Sequence, residues 1–367
     1  MNILFTNSTD IYSGGEEYVL ILARHLRLRG HTVTVSALPG HLLLRKCAGE
    51  GIPTLPLRYG NMARVFAVGK ELRSHLRERS IQIVHSNANY DRTCAAIAAA
   101  FTGIRHVAGI HSAHSIQFNL THYVRNHWGI DHFITDADAG KDVLVSTDHL
   151  PPDKITTVPI GFEPTDPTVQ AEARTRMRHS LDVPDGTVLI GNVARLVPFK
   201  GHRHLLEAIA LLVRRHPGML ICIVGDGELE GELRSQAIDL GITRHVRFLG
   251  FRDDLDDLYA AFDVYCHSSL EMASEMFPLA VIRALSAGLP VVTTRVGGIP
   301  QMVEEGVSGF VVPPVDPAPF ADALAQLVTD SARRVSMGTA SRELFARKYH
   351  ATGMAERIES VYRSILQ

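Results

Sequence analysis

Two basic residues follow a strand-like run in the second half of the chain. In GNVARLVPFKGH, Arg195 and Lys200 come after a buried-strand pattern, and Lys200 immediately precedes a glycine and a helical run. An arginine can clamp an oxyanion through two N–H groups, and a lysine supplies a compact positive charge. Together they suit a diphosphate leaving group. The alternative is a pair of solvated loop cations.

A carboxylate near a helix start forms the next candidate. Glu275 stands just before a helical run whose first turn holds Pro278. A carboxylate at this point can accept hydrogen bonds from sugar hydroxyls, beside the backbone N–H groups of Met276, Phe277 and Leu279.

Two glycine-containing loops could approach a ligand closely. Gly14 and Gly15 stand at the start of a helical run, where N–H groups and the helix dipole favour an anion. The alternative is a tight turn in which Glu16 and Glu17 complement the dipole. Gly225, in IVGDGELEGEL, either makes room for a ligand or belongs to a plain turn. None of these is the GxGxxG fingerprint, so a nicotinamide or flavin dinucleotide is disfavoured.

A histidine follows a strand-like run in the first half, HVAGIHSAHS. His111 could hydrogen-bond a substrate or act as an acid or base, or it could be satisfied by local backbone. His114 follows three residues later, but no cysteine or HExxH pattern accompanies the pair. We therefore predict no metal site.

Composition limits the class of protein. The chain has 367 residues, which corresponds to about two domains. With 37 Lys plus Arg against 39 Asp plus Glu, its net charge of -2 excludes a strongly basic nucleic-acid binder.

The four cysteines lack CxxC spacing, and three lie in apolar or small-residue runs typical of buried free thiols in a reducing cytosol. The sequence shows no signal-peptide pattern and no uncharged apolar run of about 18 residues, so we expect a cytoplasmic protein.

The elements that must position these residues alternate regularly. Short apolar runs alternate with amphipathic helical stretches, six runs in each half, which indicates α/β domains with parallel sheets covered on both faces. The proline-rich stretch PIGFEPTDPT marks the expected boundary. We predict two doubly wound domains over 1–164 and 165–348, and a terminal helix over 349–367 that could pack back onto the first. Ligands of paired domains of this kind bind at the carboxyl ends of the strands, here in a deep cleft between facing domains.

Several motifs together resemble one enzyme family. They are SGGEEYVLILARHLRLRGHTVTV, HSNANYDRTCAAIAA, HVAGIHSAHS, DKITTVPIGFEP, ARLVPFKG and the run ASEMFPLAVIRALSAGLPVVTTRVGGIPQMVEEGVSGFVVPP. Over nearly its whole length the chain resembles the retaining glycosyltransferases of family four, which have the GT-B fold of two facing Rossmann-like domains.

The resemblance implies roles for the candidates of the first domain. Gly14 and Gly15 would approach the donor's diphosphate or the acceptor, and His111 would contact the donor sugar. This domain would bind the acceptor, expected to be a glycan or a lipid-linked molecule.

In the second domain the resemblance implies the donor site. Arg195 and Lys200 would neutralise the departing diphosphate of a nucleotide sugar, and Glu275 would hold hydroxyls of the donor sugar. Gly225 and the N–H groups after Glu275 would also lie at the donor. The family needs neither metal nor other cofactor, because these cations stabilise the developing charge. A phosphate oxygen of the leaving group would take the acceptor's proton.

Three positions depart from the family's pattern. Arg283 stands where the second Glu of Glu-x7-Glu is expected, and that Glu accepts hydrogen bonds from the ribose hydroxyls of the nucleotide in relatives. An arginine can only donate. Arg283 could instead reach a phosphate, or it could be paired locally on its helix. Ile160 replaces an asparagine common in the linker, and Pro278 replaces a common glycine.

Three functions are therefore compared. The first is a retaining glycosyltransferase, and the second is a catalytically altered relative that serves as a binding or scaffold subunit because of Arg283. The third is a sugar-nucleotide epimerase or hydrolase, which RLxxxKG and SEMFP disfavour. A peripheral contact with an anionic membrane could involve basic helix faces, although a merely solvated face is the preferred interpretation. The residues are Arg24, Arg27, Arg29, Lys70, Arg73, Arg77 and Arg79.

Overall fold

The chain forms two compact units. The computed structural model describes residues 1–270 and 275–367. The first unit comprises Met1–Gly161 with Ala351–Gln367, and the second comprises Phe162–His350. Ala273 and Ser274, where the last family-like motif begins, lie outside the described residues.

Strands and helices alternate along the first unit. The strands are β1 (Asn2–Thr6), β2 (Thr32–Ala37), β3 (Thr54–Pro56), β4 (Ile83–Ser86), β5 (Arg105–Ile110), β6 (His132–Thr135) and β7 (Ile155–Thr157). The helices that alternate with them are α1 (Gly14–Leu28), α2 (Leu42–Gly49), α3 (Val65–Glu78), α4 (Asn89–Ala99), α5 (Leu120–Trp128) and α6 (Asp138–Ser146). The strands form one parallel sheet in the order β3-β2-β1-β4-β5-β6-β7. The sequence pattern does not predict β3, because a strand of three residues is too short to show a periodicity.

The second unit repeats this plan. Its strands are β8 (Val188–Val193), β9 (Met219–Val224), β10 (Val246–Gly250), β11 (Val264–His267), β12 (Val291–Thr294) and β13 (Gly309–Val312). Its helices are α7 (Pro167–Ser180), α8 (His202–Arg215), α9 (Glu230–Asp239), α10 (Leu255–Ala261), α11 (Leu279–Ser286), α12 (Pro317–Thr329) and α13 (Ser331–Lys348). The sheet is again parallel, in the order β10-β9-β8-β11-β12-β13.

The strand order reverses once in each sheet. In the first unit the reversal lies between β1 and β4, and in the second unit it lies between β8 and β11. Helices cover both faces, so the central strands are continuously apolar and buried, as in β9, where all six residues are buried. The predicted fold class of two doubly wound α/β domains is confirmed. Loops at such a reversal are where ligands of open α/β sheets bind.

The ends of the second unit differ slightly from the predicted boundaries. It begins at Phe162, before the predicted 165, and ends at His350, after the predicted 348. The reason is a short pairing in which the Phe162 N–H donates to the Tyr349 carbonyl over 2.8 Å, so both segments belong to one unit. The last helix, α14 (Ala351–Leu366), belongs to the first unit and packs against α1.

The four cysteines are buried free thiols. None of the described helices combines the length and the apolar character that crossing a membrane requires.

Candidate functional site

The loop after β8 carries Arg195, and two glycines hold its backbone. A Cβ on Gly225 would lie 2.1 Å from the Ala194 carbonyl oxygen, and one on Gly227 would lie 2.4 Å from that of Leu196. Both glycines also have positive φ angles, so larger residues would be strained as well as crowded. Gly225 therefore shapes the loop that presents Arg195. The Arg195 side chain is exposed and pairs with no other residue in the described part of the chain.

Lys200 and Glu275 are brought together in the second unit. The Lys200 ammonium forms an ion pair with Glu275 Oε2, and both side chains are largely buried, with 13% and 7% of their surface exposed. The loop of Lys200 is attached to the segment after β11. Ser268 Oγ donates to the Lys200 carbonyl over 2.9 Å, and the Leu270 N–H donates to the Phe199 carbonyl over 2.8 Å. The switch point of the sheet thus aligns two of the predicted catalytic residues.

Three further side chains form a chain of hydrogen bonds to Glu275. Ser269 Oγ donates to Glu275 Oε2 over 2.6 Å and lies 3.0 Å from His267 Nε2. The other ring nitrogen of His267, Nδ1, lies 3.2 Å from the Tyr265 hydroxyl. Burial lowers the pKa of His267, so the ring is neutral. We assign the Nε2–H tautomer, which donates toward Ser269 and Glu275 while Nδ1 accepts from Tyr265.

The carboxylate of Glu275 is held in its charged form. Burial raises its pKa, but the hydrogen bond with His267 and the positive charge of Lys200 lower it by more, so the net pKa lies well below the ordinary range. A permanently ionised carboxylate accepts hydrogen bonds, as binding a sugar hydroxyl requires.

The backbone around Glu275 depends on a glycine after β12. A Cβ on Gly297 would lie only 1.8 Å from the Glu275 carbonyl oxygen, and Gly297 has a φ of +52°. In the described part of the chain the N–H groups of Met276, Phe277 and Leu279 donate no hydrogen bond. They are therefore unpaired donors at the start of α11, where Phe277 and Leu279 are partly exposed and Met276 is buried. Their binding of a ligand stays a prediction.

Arg283 is paired within the second unit. Its Nη1 lies 2.8 Å from Asp256 Oδ1, and its guanidinium lies 5.0 Å from the centre of the Phe162 ring. Of the two interpretations considered for Arg283, this geometry supports local pairing. A contact between Arg283 and a ligand stays a prediction.

In the first unit, the loop after β1 is organised by Glu16, near the N-terminus of α1. Its Oε1 accepts from Asn7 Nδ2 over 2.8 Å and from Thr9, and its Oε2 accepts from both the N–H and the hydroxyl of Ser13. Burial raises the pKa of Glu16, but these hydrogen bonds lower it by more. The carboxylate thus fixes the loop immediately before Gly14, in addition to complementing the helix dipole as considered above.

Asp91 joins the loops after β1 and β4. This buried carboxylate accepts hydrogen bonds from the hydroxyls of Thr6 and Ser8, over 2.8 and 2.7 Å, and from the N–H groups of Asn87 and Ala88, over 3.0 and 3.1 Å. The two central strands of the first sheet therefore end in loops of fixed geometry.

His111 is oriented by a carboxylate at the end of β6. Its Nδ1 lies 2.9 Å from Oδ2 of Asp136, which is buried, and its Nε2 lies 3.3 Å from Asn87 Oδ1. Gly15 lies beside the ring, since a Cβ there would be 3.9 Å from His111 Cδ2. The first unit thus brings together the two predicted residues Gly15 and His111, with Gly14 adjacent.

A cavity of about 650 Å³ opens at the carboxyl ends of β4 and β5. The sequence analysis gave a role to only some of the residues that line it. The lining residues are Asn87, Ala88, Asn89, Arg92, Ile110, His111, Ser112, His114, Ser115, Ile116 and Phe118. Within residues 1–270 and 275–367, no group of three or more His, Cys, Asp or Glu side chains is placed to hold a metal ion.

Some of the basic residues considered for membrane contact have local partners. Arg24 forms an ion pair with Glu50, and Arg29 forms one with Glu359 on α14. Arg73 donates to carbonyl oxygens in the last turns of α4. These contacts favour a structural role for the three arginines.

Sequence reasoning did not identify His267, Ser269, Asp136 or Arg92. His267 ends β11 and Ser269 follows it, in the run VYCHSS, and this position at the carboxyl end of a strand was an available signal. Asp136 follows β6 in the same way. Arg92 lies within a helix, and only the tertiary structure shows that it faces a cavity.

Comparison with known proteins identifies two matching family models. The model of glycosyl transferases group 1 matches residues 173–344, and that of glycosyltransferase family 4 matches residues 12–166. A D-inositol 3-phosphate glycosyltransferase of Corynebacterium kroppenstedtii is 32% identical over 247 residues, which cover 65% of this chain and 54% of that protein. The chain spans about half the length of the curated relatives it matches.

Solved structures of similar fold cover the whole chain. A glycosyltransferase from Rickettsia africae ESF-5 superposes with a TM-score of 0.87 at 20% identity, covering 100% of this chain and 98% of that one. The Anabaena protein HepE in complex with UDP superposes with a TM-score of 0.86 at 21% identity, covering 99% and 100%. At sequence identities of 20% and 21%, the similarity shows a shared fold only.

Proposed function

Because this chain belongs to the group 1, family-four-like glycosyltransferases, we propose that it transfers a sugar from a nucleotide diphosphate donor to an acceptor hydroxyl with retention of configuration. The observation that carries the proposal is the buried Lys200–Glu275 pair at the switch point of the second unit. It places a cation for a diphosphate beside an ionised carboxylate for sugar hydroxyls.

The donor is assigned to the second unit. Lys200 uses one N–H toward Glu275 and keeps others for a phosphate oxygen, since an ammonium has three donors. Arg195, exposed on the neighbouring loop, supplies a planar fork for the same diphosphate. Structures of the Anabaena protein that contain UDP and UDP-glucose support a uridine nucleotide as the first donor to test.

The reaction breaks the bond between the anomeric carbon and the diphosphate oxygen and forms a bond from that carbon to the acceptor oxygen. The acceptor's proton passes to a phosphate oxygen of the leaving group, so no protein nucleophile is needed. Arg195 and Lys200 stabilise the negative charge that develops on the leaving diphosphate. Fixed cations of this kind make a metal or other cofactor unnecessary in the proposed reaction.

The acceptor is assigned to the first unit, where His111, oriented by Asp136, would contact the sugar that is transferred. The sequence led us to expect a glycan or lipid-linked acceptor. The curated relatives are named for D-inositol 3-phosphate, which adds a small phosphorylated polyol to the acceptors to be tested.

A second candidate function is a non-catalytic binding or scaffold subunit. The observation that favours it is the pairing of Arg283 with Asp256, which leaves an arginine where relatives hold ribose with a carboxylate. This candidate predicts weak or absent nucleotide binding by the unchanged chain.

The deciding experiment measures thermal unfolding with UDP, GDP and ADP, followed by sugar transfer from the corresponding nucleotide sugars. A nucleotide at 100 times its dissociation constant should add about 2.7 kcal/mol to stability, a shift of several degrees. Arg195→Ala should reduce the transfer rate about 10²–10³-fold, whereas Arg203→Ala, which removes an exposed arginine of α8, should not. If no nucleotide stabilises the wild type, or if Arg195→Ala keeps full activity, the proposal is wrong.

A further inference from the structure

We infer that the cavity of the first unit binds an anionic group of the acceptor, a phosphate or a carboxylate, and that Arg92 contacts this group. The inference rests on the proposed function and adds to it the chemical class of acceptor and a residue that selects it.

Arg92 has an unusual environment for a charged side chain. Only 4% of the residue is exposed, yet it lines the cavity. Its Nη2 donates to the Gly109 carbonyl over 3.1 Å, and its Nε is buried with no hydrogen-bond partner among the described residues. A buried donor without a partner is costly, and most such groups are satisfied by protein, water or ligand.

A second buried arginine adds to the positive charge. Arg125, 4% exposed, donates from Nη1 to Asn89 Oδ1 and Thr93 Oγ1 over 2.8 and 2.9 Å, and from Nη2 to the Ile116 carbonyl. Burial and, next, the neighbouring charge of Arg92 lower the pKa of Arg125 to about 9, although the charges of Asp91 and Asp148 act in the opposite direction. The donors of Arg125 are satisfied, and this arginine holds Asn89 in place. Arg92, in contrast, has a donor without a partner.

The nearby carboxylates are engaged elsewhere. In the described part of the chain neither arginine forms an ion pair. Asp91 accepts from the loops after β1 and β4, as described above, and Asp148 accepts from the Ser115 hydroxyl and the Ile116 N–H. Asp91 and Asp148 still act on both arginines through their charges, but in the described part of the chain neither carboxylate bonds to Arg92. An oxyanion in the cavity would accept from the Arg92 donor that has no partner.

The cavity has the size and lining of a site for a small polar molecule. Its volume of about 650 Å³ lies within the usual range for ligand sites. Asn87, Asn89, Ser112 and His114 among the lining residues carry groups that can hydrogen-bond to hydroxyls, and His111 lines the same space. Arginine binds phosphate and carboxylate through paired N–H groups. A sugar or polyol that carries one such group fits this arrangement.

The test uses three hexoses that differ in a single group. Glucose 6-phosphate, glucuronate and glucose are titrated into the full chain by calorimetry, with UDP saturating so that Arg195 and Lys200 are occupied. We expect the wild type to bind at least one of the two anions and to prefer it clearly over glucose. The stronger of the two identifies the oxyanion as phosphate or carboxylate.

The variants assign the effect to Arg92. Arg92→Met should weaken binding of the anion about 10–100-fold, the value of one or two charged hydrogen bonds. Arg73→Met, which also removes an arginine bonded to backbone carbonyls in the same unit, should leave it unchanged. If Arg92→Met fails to fold, Arg92→Lys replaces it, and we expect weaker binding because lysine lacks the paired N–H groups.

Two results would overturn the inference. One is a wild type that binds neither anion better than glucose, and the other is equal anion affinity in the wild type and the Arg92 variant. The UDP titration of the same proteins separates this failure from failure of the proposed function. Nucleotide binding without anion binding contradicts only the anion site. A wild type that binds none of UDP, GDP and ADP contradicts the glycosyltransferase proposal.

Discussion

Lys200 and Glu275, 75 positions apart in the sequence, form an ion pair in which both side chains are nearly buried. They meet because Lys200 follows β8 and Glu275 follows β11, and these two strands are neighbours in the sheet. Hydrogen bonds from Ser268 and Leu270 to the Lys200 loop fix that loop independently of the ion pair. The lysine charge is thereby held in place before any ligand binds, which is the preorganisation that electrostatic stabilisation requires.

Replacing Lys200 should therefore affect stability as well as activity. Lys200→Met leaves Glu275 buried without its cation, and we expect a loss of about 3–5 kcal/mol in the free energy of unfolding. The double variant Lys200→Met with Glu275→Gln should lose much less than the sum of the single effects, because both charges are removed together. Urea unfolding of the three variants measures this coupling. Additive losses would mean that the two residues do not stabilise each other.

A glycine substitution can test how closely the backbone of Glu275 is packed. Gly297→Ala should destabilise the protein severely, because the new Cβ would lie 1.8 Å from the Glu275 carbonyl oxygen. Gly306 is the matched control, since its φ of +72° is similarly strained but nothing lies within 4 Å of a Cβ there. Gly306→Ala should cost only about 1–2 kcal/mol, the usual penalty of a left-handed alanine. Thermal unfolding compares the two, and equal losses would show that backbone strain alone explains the effect.

The architecture could be predicted because it depends on local patterns. Apolar runs such as MLICIV, alternating with amphipathic helices, are sufficient for parallel sheets covered on both faces. The strand order and its reversal between β8 and β11 are not local properties, and only the structure supplies them. The same distinction explains the domain boundary, which depends on the hydrogen bond between Phe162 and Tyr349.

The candidate site was predictable where a residue follows a strand. Arg195, Lys200 and His111 were singled out in this way, and Glu275 was singled out from its position just before a helix. Ser269 and Asp136 also follow strands and so carried the same signal. Their roles were not predictable, because these roles depend on contacts that arise only when separate loops meet. Gly225 was assigned to ligand binding, and the structure gives it a further role in shaping the loop of Arg195.

Placing the family's glutamate at position 283 should not by itself increase the stability of the protein. Arg283→Glu would oppose Asp256 with a second carboxylate at a position where the arginine now lies 2.8 Å away. We expect a loss of about 1 kcal/mol or less, because Asp256 is largely exposed, and recovery in the charge exchange Arg283→Glu with Asp256→Arg. Under the proposed function, UDP binds the wild type. UDP binding that arises only in the exchanged variant would favour the scaffold function instead.

The stability of the protein should fall in mild acid because of its buried histidines. Burial lowers the pKa of His106 to about 4, and hydrogen bonds to Ser86 Oγ and the Gly129 carbonyl, over 2.8 and 2.7 Å, occupy both ring nitrogens. In the unfolded chain a histidine titrates near pH 6.5, so between about pH 6.5 and 4 only the unfolded chain takes up this proton. The free energy of unfolding is unaffected by this group above that window and decreases progressively as the pH falls through it.

The effect of His106 can be isolated by comparing two pH values. Between pH 7 and 5 one such histidine should lower the free energy of unfolding by about 2 kcal/mol, at 1.36 kcal/mol per pKa unit. His106→Gln removes this group, so its loss between pH 7 and 5 should be smaller than that of the wild type by about this amount. The exposed His179 provides the control, and His179→Gln should lose as much stability as the wild type. Urea unfolding at both pH values measures the difference, and an unchanged pH dependence in His106→Gln would show that His106 does not control it.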